Sequence, residues 1–339
     1  MTIYDISKEA GVSIATVSRV LNGNASVRPK TKQKVLDVIE RLGYTPNAFA
    51  RGLGLNTMNE IGILCSDSSD IFLAKGIYHI EQRLRSMGYN SLLCCTGYDL
   101  SGKEEAMTHL LSKRVDGVIL IGSNFQYDTD KENSYLINAA STVPLFLMNA
   151  DFDYPNVYCS FCDDIKATKE GVNYLINHGS KRILHLYDSD SFSGKRKLTG
   201  YQTALIENDM TIDKELMVRY TGSRESVSEI ADFLNSLKNN GLSFDAVCAS
   251  NDYMAMGAIK YARINGLHVP DDFQVLGYND SVLTTCSDPE LSSINNHVDK
   301  MATQLVSTLV EVFNEKEPPQ KSIVSGELVL RQTTRIVTS

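Results

Sequence analysis

The run Gly11-Val12-Ser13-Ile14-Ala15-Thr16-Val17-Ser18-Arg19-Val20-Leu21-Asn22 constrains this chain more than any other stretch. A helix that stops at glycine uses a residue free to take the left-handed conformation, and Gly11 supplies it. Thr2 is placed to cap that first helix, with Asp5 three residues on as its capping-box partner. Ser13 caps a second helix starting at Ile14, because its hydroxyl can accept from an orphan amide of the first turn. Ile6, Ala10, Val12, Val17, Val20 and Leu21 recur at spacings that let them share one apolar seam. Pro29 suits the first position of a third helix, whose stripe is Val35, Leu36, Ile39 and Leu42 before Gly43 ends it. Two short helices across a glycine-containing turn, braced by a third, make an all-α helix-turn-helix head.

With Val17, Val20 and Leu21 turned inward, Ile14, Ala15, Ser18, Arg19 and Asn22 point outward. The second helix of such a head lies in the DNA major groove with its N-terminal residues on base edges. Arg19 is the candidate for a bidentate contact to guanine, a pairing set by the planar fork of its donors. Ile14 and Ala15 can offer only apolar contact, for instance to a thymine methyl. Ser13, Thr16, Ser18 and Asn22 suit phosphate oxygens, which position the head without reading sequence. The competing reading is that Arg19 is an ordinary solvated helix residue.

Charge is split along the chain. Residues 1–58 carry 8 Lys/Arg against 4 Asp/Glu, a net of +4, and the remainder carries 25 against 37, a net of −12, giving −8 overall. A basic head suits phosphates and an acidic body suits solubility. Arg28, Lys30, Lys32 and Lys34 cluster at the start of the third helix, either against the DNA backbone or as a solvated face.

The 339 residues exceed one ordinary domain, so a small head and a body of two lobes are expected. No apolar run of ~18 residues and no charged-then-apolar leader is present, so a cytoplasmic protein without a membrane partner is expected. The seven cysteines are expected to be reduced. Cys94 and Cys95 fall in a strand, on opposite faces. Cys159 and Cys162 have zinc-ribbon spacing, but no second pair accompanies them, so no metal and no other cofactor is expected.

From residue 60 the pattern alternates. Apolar runs at Ile61–Cys65, Ser91–Cys95, Gly117–Ile121, Leu145–Met148, Ile183–Leu186, Ala246–Ala249 and Gln274–Gly277 read as strands. Amphipathic stretches at Ile71–Met87, Lys103–Lys113, Asp164–Asn177, Leu198–Glu207, Ser226–Leu237 and Tyr253–Ile264 read as helices. This alternation implies parallel sheets covered on both faces, in two doubly wound lobes. Ligands of such folds bind outside the carboxyl ends of the strands. That rule selects Ser66, Asp67, Asn149, Asn251 and Asn279, whose donors and acceptors suit a polyol. Asp252 beside Asn251 could equally cap a helix. No His-x-x-His or His-x-x-x-His pair, no Gly-x-Ser-x-Gly and no Gly-x-Gly-x-x-Gly after the first strand occurs, so no catalytic residue is expected.

Tyr4-Asp5-Ile6 through Asn22, then Leu42-Gly43-Tyr44-Thr45-Pro46-Asn47-Ala48 and Ala50-Arg51-Gly52-Leu53, closely resemble the lactose/galactose-repressor family of bacterial transcription regulators. The likeness continues through essentially the whole chain, with Asn251-Asp252-Tyr253-Met254-Ala255-Met256-Gly257 the strongest body motif. It implies a periplasmic-binding-protein-like body and a domain order of head 1–46, hinge helix 47–58 and body 59–339. The implied crossings near 161, 290 and 322 give lobe 1 as about 59–160 and 291–320, lobe 2 as about 161–290 and 321–337. Tyr4, Asn47, Ala50 and Arg51 join the implied DNA contacts, and Leu53 matches the wedge that such hinges push between base pairs. Gly52 and Gly54 depart from the better helix formers often seen there. The ligand is implied to lie between the lobes, with Phe72 stacking on a sugar face. Lys197 stands where an arginine is common, and Asn149 and Asn279 where some members carry aspartate. The resemblance implies a homodimer on a pseudo-palindromic double-stranded operator, most simply a repressor of carbohydrate use answering to a sugar-like effector. The alternative is a constitutive regulator that uses its body only to dimerise. No apolar heptad tail of the kind that builds a tetramer follows Arg331.

Overall fold

The computed structural model describes residues 2–21, 26–44, 57–223 and 226–336. Asn22, Asn47, Ala50, Arg51 and Leu53, with Gly52 and Gly54, lie outside them.

The head is α1 (Ile3–Ala10), α2 (Ile14–Leu21) and α3 (Pro29–Leu42). The Thr2 amide and hydroxyl donate to the Asp5 carboxylate at 2.8 and 3.0 Å, and the amide bond above all holds that carboxyl below its usual range. Gly11 takes φ 58° at the end of α1, and Ser13 Oγ accepts from the Thr16 amide at 3.2 Å to open α2. Ile6, Ala10, Val17, Val20, Val35 and Val38 form the core, with Val12, Leu21, Ile39 and Leu42 packed around it. One expectation changes: Leu36 is 39% exposed and Val38 takes the buried place. At about 100° per residue, positions 35, 38, 39 and 42 share a face, and 36 turns off it.

The body begins with β1 (Glu60–Cys65), α4 (Ile71–Ser86), β2 (Asn90–Cys95), α5 (Leu100–Ser112), β3 (Gly117–Ile121), α6 (Ser134–Ala140), β4 (Leu145–Met148) and β5 (Val157–Cys162). It continues with α7 (Asp164–Asn177), β6 (Ile183–Tyr187), α8 (Phe192–Glu207), β7 (Met217–Arg219), α9 (Val227–Asn239), β8 (Ala246–Ala249), α10 (Asp252–Ile264) and β9 (Gln274–Tyr278). A short α11 (Leu283–Cys286), β10 (Ser292–Asn295), α12 (Val298–Phe313), β11 (Lys321–Val324) and β12 (Glu327–Val329) complete it.

Two six-stranded sheets result, ordered β11-β5-β4-β3-β1-β2 and β12-β10-β9-β8-β6-β7. The inner strands pair in parallel, as in Ile61↔Gly117 through Cys65↔Ile121, and are buried on both faces. Against the expectation of purely parallel sheets, β12 pairs antiparallel with β10. Although the sequence shows no internal repeat, β7-β6-β8-β9-β10 retraces the order β2-β1-β3-β4-β5.

The strand pairing also moves the crossings. The first falls at Asp163. Because β10 belongs to the second sheet, the next follows Asn295 rather than 290. Because β11 belongs to the first, the last falls at 325–326 rather than 322. Lobe 1 is therefore 60–162 with 298–324, and lobe 2 is 163–295 with 327–336. The unpredicted α12 seals lobe 1: Val298, Met301, Ala302, Leu305, Val306 and Leu309 pack into the core that α4 also covers. Their helical spacing is the signal that marks it.

Candidate functional site

Two surfaces carry the sequence candidates. On the head, Tyr4 is 67% exposed on α1, and Ile14, Ala15 and Arg19 are exposed on the outer face of α2. Ser18 is half-buried. Ser13 is exposed but its hydroxyl is engaged as a helix cap, and it lies 2.9 Å from the half-buried Thr16 hydroxyl. No described carboxylate pairs with the Arg19 guanidinium. An arginine with no described carboxylate partner, beside the exposed apolar side chains of Ile14 and Ala15, gives this face a positive and apolar character. Arg28, Lys30, Lys32 and Lys34 are all exposed.

In the body, the order of each sheet reverses at its first strand, between β1 and β3 and between β6 and β8. Loops leaving such neighbours diverge to opposite faces and open a crevice. The two crevices face one another across one cleft of about 130 Å³. Ser66, Asn149, Asn251 and Asn279 line it from strand ends, and Phe72 and Lys197 line it from the helices α4 and α8. Asp67 does not: its carboxylate accepts from the Ser69 amide at 2.9 Å and hydroxyl at 2.7 Å. Asp70 lines the cleft instead, while capping α4 through the Leu73 amide. Ser123, Asn124, Asp188 and Ser250 also line it. They follow β3, β6 and β8 directly, so the same rule applied to every strand would have found them.

Each lining residue is held by its element. Asn124 Nδ2 donates to Ser66 Oγ at 2.7 Å, tying the ends of β1 and β3. Asn251 caps α10 through the Met254 amide at 3.0 Å and reaches Asp188 at 3.5 Å. Asp252 turns inward, accepting from the Ser281 amide at 2.7 Å and Ser293 Oγ at 2.6 Å, so it braces the lobe rather than the cleft. Asn149 sits at φ 67°, and its buried Oδ1 has no hydrogen-bond partner among the described residues. A buried acceptor left unpaired costs about 1–3 kcal/mol, so Asn149 Oδ1 is an unmet acceptor in the cleft wall.

Lys197 is the buried cation of the cleft. Its ammonium donates to the Ser250 carbonyl at 2.9 Å and lies 3.7 Å from the Tyr278 ring centroid. Burial pulls its pKa down, opposed first by Asp164 and then by Asp188. Asp164 is fully buried and accepts from the Tyr278 hydroxyl; burial raises its carboxyl, and Lys197 pulls it back. Across the cleft the Ser123 and Ser191 hydroxyls meet at 2.8 Å, and the Phe192 amide donates to the Ser123 carbonyl at 3.2 Å.

Behind Lys197, His185 on β6 stacks between Tyr201 and Tyr187, at ring distances of 5.1 and 5.6 Å. Burial first, and the charge of Lys197 second, push it down to about 4. An unfolded histidine titrates near pH 6.5, so the unfolded state binds a proton that the folded state refuses. Its contribution is whole above that pH and is lost as pH falls toward 4, at up to about 1.4 kcal/mol per unit. Denaturant unfolding from pH 7 downward should show this slope, and His185→Phe should flatten it. An unchanged slope in the variant would place the acid sensitivity elsewhere.

Cys159 and Cys162 are both buried, three residues apart on one strand and hence on opposite faces. No group of three metal-ligating side chains occurs among the described residues, and no described helix is long and apolar enough to cross a membrane.

Comparison with known proteins bears on both the head and the body. Residues 2–47 match the family described as bacterial regulatory proteins, lacI family, and residues 172–334 match a periplasmic binding protein-like domain. An HTH-type transcriptional regulator of Lachnoclostridium phytofermentans is 50% identical over 98% of this chain and 99% of its own length. The regulator DegA of Bacillus subtilis is 31% identical over 98% of both chains. Among solved structures, the lac repressor dimer bound to operator and the anti-inducer ONPF superposes with a TM-score of 0.87 at 26% identity, covering 98% of this chain and 99% of that one. The chain belongs to the lacI family of bacterial regulatory proteins and is a DNA-binding transcriptional regulator.

Proposed function

We propose that the chain represses a carbohydrate-use operon and that a sugar-like molecule bound between its lobes sets its hold on the operator. The observation that carries this reading is the cleft, where Asn149 Oδ1 is buried and unpartnered among the described residues, beside Phe72 and the Lys197 ammonium. Convergent amide, hydroxyl and ammonium groups beside an aromatic ring suit a polyhydroxylated ligand. Control follows from linkage: a ligand that prefers one arrangement of the lobes changes operator affinity by the factor by which operator changes its own.

A panel of neutral sugars screened by thermal shift should yield a ligand, and that ligand should move operator affinity by about 5–150-fold. A panel that leaves both stability and operator binding unmoved would favour a constitutive regulator.

The reading includes a homodimer, since a two-fold-related pair of heads matches a pseudo-palindromic site. The lac repressor to which this chain is similar is a dimer on its operator. Titration of full-length chain against a palindromic duplex should saturate at two chains per duplex. Saturation at one would reject the dimer.

A further inference from the structure

The cleft alone is small for a ligand. Its 130 Å³ falls short of the ~300–1,000 Å³ usual for small-molecule sites. A second chamber of about 400 Å³ opens beside it, and Tyr98, Asn124, Ser189 and Ser191 line both. Its position is set by topology. The three crossings leave the sheets on the β5–β11 and β10–β12 side, whereas Tyr98 follows β2 and Arg219 ends β7, the strands at the opposite edges. The second chamber is thus the mouth of the cleft, and a ligand longer than the inner space extends into it.

The chemistry of the mouth is that of a neutral polar ligand. Its charged lining comprises Lys103, Lys195 and Arg219 against Asp128, Glu132 and Asp190, which balance. Two of the cations are already paired, Lys195 with Asp128 at 2.8 Å and Arg219 with Asp190 at 2.6 Å. Lys103 is buried; its ammonium donates to the Asn124 carbonyl at 2.5 Å and the Tyr127 hydroxyl at 2.8 Å, fixing that ring in the wall. Tyr98 presents a ring 44% exposed at the seam between the chambers. Gln126 Oε1 is buried there without a hydrogen-bond partner among the described residues. Aromatic faces, an idle amide acceptor and no net charge are what the second ring of a saccharide needs.

Resting on the sugar reading above, we infer that the effector is an oligosaccharide of two or more rings, one ring in the cleft and the next in the mouth, against Tyr98 and Gln126. Full-length protein would be titrated calorimetrically with glucose, mannose, xylose and galactose, and with cellobiose, maltose, mannobiose and xylobiose. At least one disaccharide should bind about tenfold or more tighter than its monosaccharide, the worth of one added ring contact and hydrogen bond. Gln126→Ala should remove most of that gain and leave monosaccharide affinity unchanged, which also shows that the variant is folded, and Tyr98→Ala, at the seam of the two chambers, should lower disaccharide affinity more than monosaccharide affinity. A monosaccharide that binds as tightly as every disaccharide, or variants that lower both classes alike or neither, would overturn the second subsite and leave the sugar reading standing. Silence from every saccharide would overturn the sugar reading, and the subsite with it.

Discussion

Arg19→Ala is expected to weaken operator binding by about 1–3 kcal/mol for each half-site contact and to relax preference at one base pair per half-site. The head gives the reason. Val17 and Val20 anchor the inner face of α2, so Arg19 has only the outer face available, and no described carboxylate competes for its guanidinium. A bidentate fork on guanine is lost wholly on truncation, whereas a phosphate contact is lost equally on every sequence. Titrations against the operator and its single-base variants, at fixed salt, separate the two. Uniform weakening, with preference intact and the salt slope reduced by about one, would show that Arg19 touches only phosphate.

Why the head reads so directly is a matter of range. The Thr2–Asp5 box, the Gly11 stop and the Ser13 cap each act within a few residues, so local chemistry decides them. Leu36 misled because an apolar residue beside a stripe looks like part of it until the helix is turned residue by residue. The long apolar strands of the body were equally plain. Strands β5, β7, β10, β11 and β12 were not: β7 and β10 to β12 are only three or four residues long, and β5 mixes tyrosine, cysteine and serine with its apolar residues. Ser292 and Ser293 are fully buried, yet they are satisfied by Thr333, Thr334 and Asp252, partners more than 35 residues away. A buried polar strand of that kind looks like a loop until its partners are known, and the crossings were misplaced for the same reason. The cleft followed from the strand-end rule. The mouth did not, since Tyr98 and Gln126 of lobe 1 and Arg219 of lobe 2 come to one chamber only across the two lobes.

Lys197→Met is expected to cost about 1–3 kcal/mol of stability, the range for a buried hydrogen-bonding group left without its partner. Three interactions go together: the bond to the Ser250 carbonyl, the contact with the Tyr278 ring, and the cation that offsets Asp164. The last has a signature the others lack. Burial already holds Asp164 above its ordinary range, and without Lys197 its folded pKa rises further. A carboxyl raised in the folded state takes up a proton at a pH where the unfolded chain does not, so the variant regains stability as pH falls through that folded value. The deficit measured by denaturant unfolding should therefore be smaller at pH 5 than at pH 8. Asp164→Asn introduced on top of Lys197→Met should recover part of the deficit at pH 8, giving a coupling energy of the sign expected for two opposite buried charges. A deficit independent of pH, with Asp164→Asn only adding its own cost, would reduce Lys197 to a packing and hydrogen-bonding residue. Lys197→Arg keeps the charge but replaces the compact ammonium between the Tyr278 ring and the Ser250 carbonyl with a larger planar guanidinium. It should restore the pH dependence of the parent without its full stability, which separates the charge of residue 197 from its fit.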